Sequence, residues 1–293
     1  MRLTLKPVDI LSLLFIGLLS AVTIAFFPLI PFWGWLVMRY ALLALAIVSV
    51  ALYNGRAHPW KPAVHLQAFL PVLVIMVIFD SLGDLIPPLR PSYFDDVLIR
   101  IDHAIFGVHP TVWMERLISP VLTDLLQIAY TSYYFMSIAL AVLLFVKNKQ
   151  EEFDTAVFGL LLCFYLSYVG YILFPAVGPR FTLADLQITG LQASSLTAAI
   201  QNTLNSLEHN KTDAFPSGHT AVALMTLYYA WKSREKALAW TLLPFVSGLI
   251  FSTVYLRYHY VIDVIAGVLL FAATIYLTPK LYRRIGNATV TKM

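Results

Sequence analysis

Charged residues and cysteines are scarce in this sequence. Only 12% of its 293 residues are Asp, Glu, Lys or Arg, and 59% are hydrophobic. A soluble globular domain carries about 25% charged residues, so the composition excludes a soluble protein and predicts a chain that crosses a membrane several times. The single cysteine, Cys163, lies in an apolar run, which excludes an internal disulfide and a metal site built on thiolates.

Eight apolar segments have about the length that a helix needs to cross a bilayer, which is roughly 20 residues. They lie at 8–30, 33–53, 63–86, 121–146, 155–174, 217–231, 237–256 and 261–278. The first is too long for a signal-peptide core and no small-residue cleavage site follows it, so we expect it to be retained. The pattern predicts an all-α fold, a polytopic membrane helix bundle of about eight transmembrane helices forming a single domain over 1–293.

Basic residues predict how this bundle is oriented. With the N-terminus in the cytoplasm, thirteen Lys and Arg residues fall on the cytoplasmic side, six fall on the opposite side, and Arg39 falls inside a span. The positive-inside rule therefore predicts two cytoplasmic termini. Because the basic residues flank apolar spans instead of forming one patch, no nucleic-acid partner is expected.

Two segments on the predicted outer side are not spans. In 87–120, apolar and charged residues alternate at helical spacing after several prolines, which indicates a helix lying at the membrane interface. We expect Asp95, Asp96 and Asp102 to occupy its solvated side. Segment 181–215 is richer in Ser, Thr, Gln and Asn and is typical of an outer loop with some helix.

The stretch Pro216-Ser217-Gly218-His219 opens directly into an apolar run. Proline fixes φ and a serine hydroxyl can cap free N–H groups, so a helix is predicted to start here. Exposed amides at such a start, beside a hydroxyl and an imidazole, suit a phosphate group and proton transfer near neutral pH. The alternative is a capped helix with an ordinary surface histidine.

Two further clusters fall on the same predicted side. Arg180 ends the stretch at 174–180 (FPAVGPR) and is either a topological anchor or a bidentate phosphate ligand. His259 and Asp263 are four residues apart and would share a helix face, where a carboxylate can fix the tautomer of an imidazole and stabilise its cation. The alternative for this pair is a structural hydrogen bond between two helices.

Together these clusters resemble a known family. Pro216-Ser217-Gly218-His219 with the later His259-Tyr260-x-x-Asp263 is similar to the type 2 phosphatidic acid phosphatase superfamily. The stretch at 252–263 (STVYLRYHYVID), with FPAVGPR ahead of it, resembles the branch that contains inositol phosphorylceramide synthases and their bacterial relatives. The resemblance covers about 174–267.

The resemblance implies a role for each residue. His259 would be the nucleophile, Asp263 would orient it, and His219 would protonate the leaving oxygen. The phosphate oxygens would be held by Arg180, Ser217 and Gly218. No metal or other cofactor is required in the family. The resemblance also implies a six-helix catalytic bundle over 63–280, preceded by two accessory spans over 1–62.

The sequence departs from the phosphatase pattern at two places. That pattern has a lysine several residues before its first arginine, and no lysine stands between Tyr165 and Arg180. Its third motif has an arginine directly after the serine, and Thr253 stands there. We hypothesise that Arg257, one helical turn later, supplies the missing guanidinium as a substrate ligand. Both departures favour the synthase-like branch.

Other polar residues receive structural interpretations. Asp80 and Asp84 either contact a hydroxyl-rich headgroup or, the reading we favour, pair with Arg90 or another outer arginine. Arg39 is interpreted as snorkelling or facing the bundle. Three tyrosines are interpreted as interface or bundle packing; they are Tyr130, Tyr133 and Tyr134.

The leading interpretation is an integral-membrane phosphatase or phosphotransferase acting on a lipid phosphate or phospholipid. Its site would face the outside, the periplasm of a bacterial inner membrane or a lumen. The competing class is a non-catalytic lipid-binding or transport protein, but the sequence shows no internal symmetry of the kind that supports transport. Haloperoxidase-like chemistry is disfavoured by the membrane spans.

Overall fold

Long apolar helices make up most of the computed structural model, which describes residues 3–56, 60–207 and 209–290. Within those residues 79% of the chain is helical and no strand forms, so the predicted all-α bundle is confirmed. Arg2 and Lys292, which entered the orientation argument, lie outside the described residues. The α-helices are α1 Pro7–Ala25, α2 Trp33–Asn54, α3 Lys61–Leu89, α4 Asp95–Phe106, α5 Pro110–Trp113, α6 Pro120–Thr131, α7 Tyr133–Val146, α8 Gln150–Leu173, α9 Pro179–Thr182, α10 Ser195–Leu207, α11 Gly218–Lys232, α12 Lys236–Tyr255 and α13 Val261–Val290.

Among the described residues, six helices are long and apolar enough to cross a membrane, namely α1, α2, α3, α8, α12 and α13. The fourth predicted span is a bent pair, α6 and α7, which meet at 43° and count together as a seventh. The remaining predicted span, α11, has only 15 residues, or about 22 Å at 1.5 Å per residue. It is shorter than a bilayer core because its first turn is part of a buried polar cluster.

Helix α8 lies at the centre of the bundle, where it contacts α1, α3, α7, α11 and α13. Beyond its charged first turn its side chains are apolar, aromatic or small on all sides, and Phe158 and Cys163 are fully buried. Helices in lipid associate through close packing instead of apolar burial from water, so a helix without a polar face belongs in the interior. The end of α8 and the starts of α11 and α13 thereby meet at one end of the bundle, called the upper end below.

Helix α4 is the predicted interfacial helix, but two of the aspartates expected on its solvated side are buried. Asp95, Leu98 and Asp102 share one face and are buried, whereas Val97 and Ile105 are exposed. The expectation that both aspartates face solvent is therefore wrong. The physical reason is that backbone N–H groups need acceptors: Asp102 accepts from the amides of residues 261 and 262 at 2.8 and 2.9 Å, at the start of α13. Burial raises the pKa of Asp102, and these two hydrogen bonds oppose the rise.

The segment from 181 to 215 contains the end of the short α9 and the whole of α10, which agrees with a loop that has some helix. It is attached to its neighbours by backbone and side-chain hydrogen bonds. The Thr189 amide donates to Glu115 at 3.1 Å, and the Ser194 amide donates to Asp124 at 2.9 Å.

Asp80 and Asp84 form the ion pairs that we favoured, but with a different partner. Arg39 of α2 approaches Asp80 at 2.6 Å and Asp84 at 3.5 Å. His209 contacts the other oxygen of Asp84 at 3.0 Å. The only basic residue inside a predicted span thus joins α2 to α3, and its bundle-facing interpretation is confirmed.

Candidate active site

Three separated segments bring polar groups together at the upper end of the bundle. They are the stretch from Phe174 to Arg180 after α8, the turn before α11, and the turn between α12 and α13. Two histidines from different segments face each other there. His259 Nε2 lies 3.3 Å from His219 Nδ1, and the His259 side chain is only 3% exposed.

The backbone carbonyl of Ala214 determines the tautomer of His259. Nδ1 of His259 lies 2.7 Å from this oxygen, and a carbonyl can only accept a hydrogen bond. Nδ1 therefore carries the hydrogen, which assigns the lone pair of the neutral ring to Nε2. This is the nitrogen that faces His219, so the lone pair of His259 points into the cluster.

Asp263 is adjacent to His259, but its shortest hydrogen bond is to the backbone. Its Oδ2 accepts from the Tyr260 amide at 2.8 Å and lies 3.5 Å from His259 Nδ1. Because α13 begins only at Val261, His259 precedes the helix and Asp263 caps its first turn. The predicted proximity is present, and the orienting role of Asp263 stays a prediction.

The loop before Arg180 is fixed by the buried carboxylate of Asp95. This carboxylate accepts from the amides of Val177 and Gly178 at 3.0 and 2.9 Å. It also accepts from the hydroxyl of Tyr260 at 2.8 Å. Burial and the negative charge of Asp95 raise the pKa of Tyr260, so this phenol stays protonated and keeps its hydrogen bond. One residue of α4 thus joins the loop after α8 to the turn before α13.

Close backbone contacts complete this connection. The Ala214 amide donates to the carbonyl of Ala176 at 3.0 Å, which holds the carbonyl of Ala214 under His259. Gly178 has a φ of +88°, and a Cβ there would collide with the carbonyl oxygen of Tyr258. A glycine is required at this position for both reasons.

Arg180 is connected to the turn that carries His259. Its amide donates to the carbonyl of Arg257 at 2.9 Å. Its guanidinium lies over the rings of Phe181 and Tyr258, at 4.7 and 4.8 Å from their centroids. Its positive charge also acts on the imidazole of His219, and a role for Arg180 in holding phosphate oxygens stays a prediction.

Ser217 and Gly218 are more enclosed than predicted. Ser217 is fully buried; its hydroxyl accepts from the Thr220 amide at 3.3 Å, and its own amide donates to the Asp263 carbonyl at 3.0 Å. Gly218 packs against the hydroxyl of Tyr171. The expectation of exposed amides here is therefore wrong, because these groups connect α11 to α13 and α8. A phosphate-binding role for either residue stays a prediction.

Arg257 is directed away from the histidines. Its guanidinium contacts Glu115 at 3.1 Å and also donates to the carbonyl of Thr189. Burial lowers the pKa of the Arg257 guanidinium, and the charge of Glu115 opposes this. The hypothesis that Arg257 binds substrate stays a prediction, and these contacts weigh against it.

Sequence reasoning missed Tyr130 and Tyr133. The Tyr130 hydroxyl lies 3.1 Å from His219 Nε2, and the ring of Tyr133 lies 4.4 Å from the imidazole, between centroids. Interpreting Tyr130 as packing alone is therefore wrong. No local signal marks it, because a tyrosine on an apolar helix looks the same whether or not its hydroxyl meets a histidine.

No group of three or more His, Cys, Asp or Glu side chains that could hold a metal ion occurs among residues 3–56, 60–207 and 209–290. Chemistry without a metal stays a prediction.

Comparison with known proteins gives one family. A family model described as the PAP2 superfamily matches residues 96–277, a range that contains all three converging segments. No curated protein and no solved structure matches the chain.

Proposed function

The chain belongs to the PAP2 superfamily, and we propose that it transfers the phosphoryl group of a lipid phosphate through a phospho-histidine intermediate. Membership supports an integral-membrane enzyme of the lipid phosphatase or phosphotransferase type. The observation that carries the mechanism is the contact between His259 Nε2 and His219 Nδ1 at 3.3 Å. It places the unprotonated nitrogen of one imidazole opposite a nitrogen that can carry a proton.

The first half of the reaction forms the covalent intermediate. The lone pair of His259 Nε2 attacks phosphorus, and the bond from phosphorus to the leaving oxygen breaks. His219 acts here as the imidazolium: its Nδ1 proton moves to that oxygen, so the leaving group departs as an alcohol and the neutral ring keeps its hydrogen on Nε2. Covalent catalysis of this kind divides one difficult transfer into two easier steps.

The second half returns the enzyme to its starting state. An acceptor hydroxyl gives its proton to His219 Nδ1 while its oxygen attacks phosphorus, and the bond from phosphorus to His259 Nε2 breaks. Water as the acceptor gives a phosphatase, and a lipid or polyol hydroxyl gives a phosphotransferase. Throughout, the positive charge of Arg180 would neutralise the equatorial phosphate oxygens, the main requirement of phosphoryl transfer.

Substrate must separate the two histidines. A phosphoryl group does not fit between two nitrogen atoms 3.3 Å apart, so the resting contact occupies the place where phosphorus will lie. His219 is partly exposed and His259 is buried, and His259 is bonded to backbone. We therefore expect the His219 ring to pivot about its contact with the Tyr130 hydroxyl and His259 to stay.

The site would face the outer side of the membrane. The basic residues that we assign to the cytoplasm include Lys147 and Lys149, which both pair with Glu235 at 2.6 Å at the end of the bundle opposite the histidines. The positive-inside rule then supports an outer site and two inner termini. In this proposal residues 63–280 form the catalytic bundle, and 1–62 supply two accessory spans.

A transferase of the inositol phosphorylceramide synthase type is the second candidate. The position that carries arginine in the phosphatase pattern is Thr253, which is fully buried. Its backbone carbonyl accepts from the amides of Tyr258 and His259, both at 2.9 Å. Thr253 shapes the turn that holds His259 and brings no charge to the phosphate, so this chain departs from the phosphatase pattern where the phosphate would bind.

Phosphate release by the purified protein in detergent tests the proposal. Wild type and His259→Ala would be compared over a panel of lipid phosphates with EDTA present, and we expect release that His259→Ala abolishes. If wild type releases none, a phospholipid donor with a hydroxylated acceptor tests the transferase candidate. Equal activity of wild type and His259→Ala in either assay would contradict the assignment of the nucleophile.

A further inference from the structure

Tyr130 contacts Nε2 of His219, the ring nitrogen that does not face His259. Its hydroxyl lies 3.1 Å from His219 Nε2, and the residue is only 4% exposed. Its ring stacks on Tyr258 at 4.6 Å between centroids, with 12° between the planes. The ring is thereby held in place, and the hydroxyl is delivered to one atom of the imidazole.

Donor and acceptor can be assigned for each hydrogen bond from Ala214 through His259 and His219 to Tyr130. The carbonyl of Ala214 requires the hydrogen of His259 on Nδ1, so Nε2 of His259 can only accept. His219 Nδ1, 3.3 Å away, must then donate, which leaves Nε2 of a neutral His219 as an acceptor. The Tyr130 hydroxyl donates to that nitrogen in the resting state.

The hydrogen bond between the Tyr130 hydroxyl and His219 Nε2 has to reverse its direction when His219 becomes protonated for the reaction. When His219 carries a second proton, its Nε2 becomes a donor and needs an acceptor. A hydroxyl has one hydrogen to donate and two lone pairs that accept, and it can rotate between the two uses. A carboxylate in the same place would hold the ring in its charged form, and a phenylalanine would serve neither form.

We propose that Tyr130 is a positioning residue for acid–base catalysis, satisfying Nε2 of His219 in both of its protonation states. This inference rests on the proposed function. When His219 is the imidazolium, its Nε2–H bonds to the oxygen of Tyr130 while Nδ1 gives its proton to the leaving oxygen. After this transfer the neutral ring keeps its hydrogen on Nε2 and still donates it to Tyr130, while Nδ1 can take the proton of the acceptor hydroxyl. The Tyr130 hydroxyl donates to Nε2 only in the resting tautomer, in which the hydrogen of His219 is on Nδ1.

The proposal predicts a dependence on the leaving group. A proton is needed most when the leaving oxygen belongs to an alkyl alcohol, because an alkoxide is a poor leaving group. A nitrophenolate leaves without protonation. General acid–base catalysis contributes about 10²- to 10⁴-fold, and only the part of it that depends on Tyr130 is lost when its hydroxyl is removed.

The test uses Tyr130→Phe with a matched pair of long-chain phosphate esters, one of an alkyl alcohol and one of a nitrophenol, monoesters or diesters according to which class wild type accepts. We expect kcat for the alkyl ester to fall about 10- to 100-fold with little change in KM, and kcat for the nitrophenyl ester to fall less than about threefold. The high-pH limb of the alkyl kcat profile should move to lower pH, because the imidazolium has lost its acceptor. In the described part of the chain, His259 and Tyr133 are the other titratable groups that contact His219, and the charge of Arg180 also acts on its imidazole.

Tyr255→Phe is the matched control. Tyr255 belongs to the same apolar cluster as Tyr130. Its buried hydroxyl bonds to Thr123 at 2.9 Å and contacts no histidine among the residues that the structure describes. We expect it to lower thermal stability without changing the ratio of the two substrates.

The outcomes separate the two proposals. Equal losses on both esters in Tyr130→Phe, with wild type active and His259→Ala inactive, would overturn the role of Tyr130 alone. A wild type that turns over neither ester, or a fully active His259→Ala, would overturn the proposed function and the role of Tyr130 with it.

Discussion

His259 donates its Nδ1 hydrogen to the backbone carbonyl of Ala214, at 2.7 Å. A main-chain group therefore fixes the tautomer of the proposed nucleophile, and no side-chain substitution removes it. The carbonyl is itself held by the pairing of Ala214 with Ala176. The orientation of His259 depends on the packing of two loops as well as on the carboxylate predicted from the sequence.

Asp263→Asn should therefore reduce activity moderately. In Ser-His-Asp enzymes the equivalent change costs about 10⁴-fold because the histidine adopts the wrong tautomer. Here Ala214 keeps the tautomer, and an asparagine oxygen can still accept from the Tyr260 amide. We expect kcat to fall on the order of 100-fold or less, which is much smaller than the loss of about 10⁴-fold in the Ser-His-Asp enzymes. Steady-state kinetics check this, and a loss as complete as that of His259→Ala would show that Asp263 dominates.

Asp95→Ala should lower both thermal stability and activity. The substitution leaves the Val177 and Gly178 amides and the Tyr260 hydroxyl without their acceptor, and a hydrogen bond to a charged group contributes about 1.5–3 kcal/mol. Asp96→Ala is the control, because Asp96 is the next residue on the same helix and its carboxylate is exposed. The melting midpoint in detergent should fall for Asp95→Ala and stay within error for Asp96→Ala. Equal midpoints would contradict the bridging role of Asp95.

A double-mutant cycle separates the two interpretations of Arg257. If Arg257 acts by holding Glu115 and the loop at Thr189, then Arg257→Gln and Glu115→Gln should reduce activity by similar factors. The double variant should then be little worse than either single variant, since paired residues are not additive. If Arg257 binds phosphate, Arg257→Gln alone should raise KM, while Glu115→Gln leaves KM unchanged. The structure favours the first result.

The ion pairs of Glu235, at the end of the bundle opposite the histidines, predict that stability depends on pH. Hydrogen bonds from Lys147 and Lys149 lower the pKa of Glu235 below its usual value of 4.5. A lowered folded-state pKa gives stability that is complete above the unfolded value and is lost as the pH falls through the folded value. The melting difference between wild type and Glu235→Gln should be constant above about pH 5 and shrink below about pH 4.5. A difference that does not vary with pH would contradict this pairing.

The helices could be predicted because length and hydropathy are local properties. Each of the eight predicted spans has a helix or a bent pair in the structure, and the short α11 follows from the motif at Pro216. The convergence of Arg180, His219 and His259 could be expected only through the family resemblance, since no local pattern brings three distant segments together.

The polar residues that join these segments could not be predicted. Asp95 and Asp102 look like a solvated helix face, because amphipathic spacing does not tell which face has backbone amides beside it. Tyr130 needs the packing of α6 against α11 and α12 before its hydroxyl has a partner. Likewise, nothing in the sequence around Arg257 predicts its ion pair with Glu115, because the two residues are 142 positions apart.

The most direct test is to look for the phosphorylated histidine itself. Wild type mixed with a radiolabelled lipid phosphate and quenched during turnover should carry a phosphoryl group that is stable to alkali and labile to acid. Peptide mapping should place the label on His259, and His259→Ala should carry none. Turnover by wild type without any label on His259, together with turnover by His259→Ala, would contradict the account.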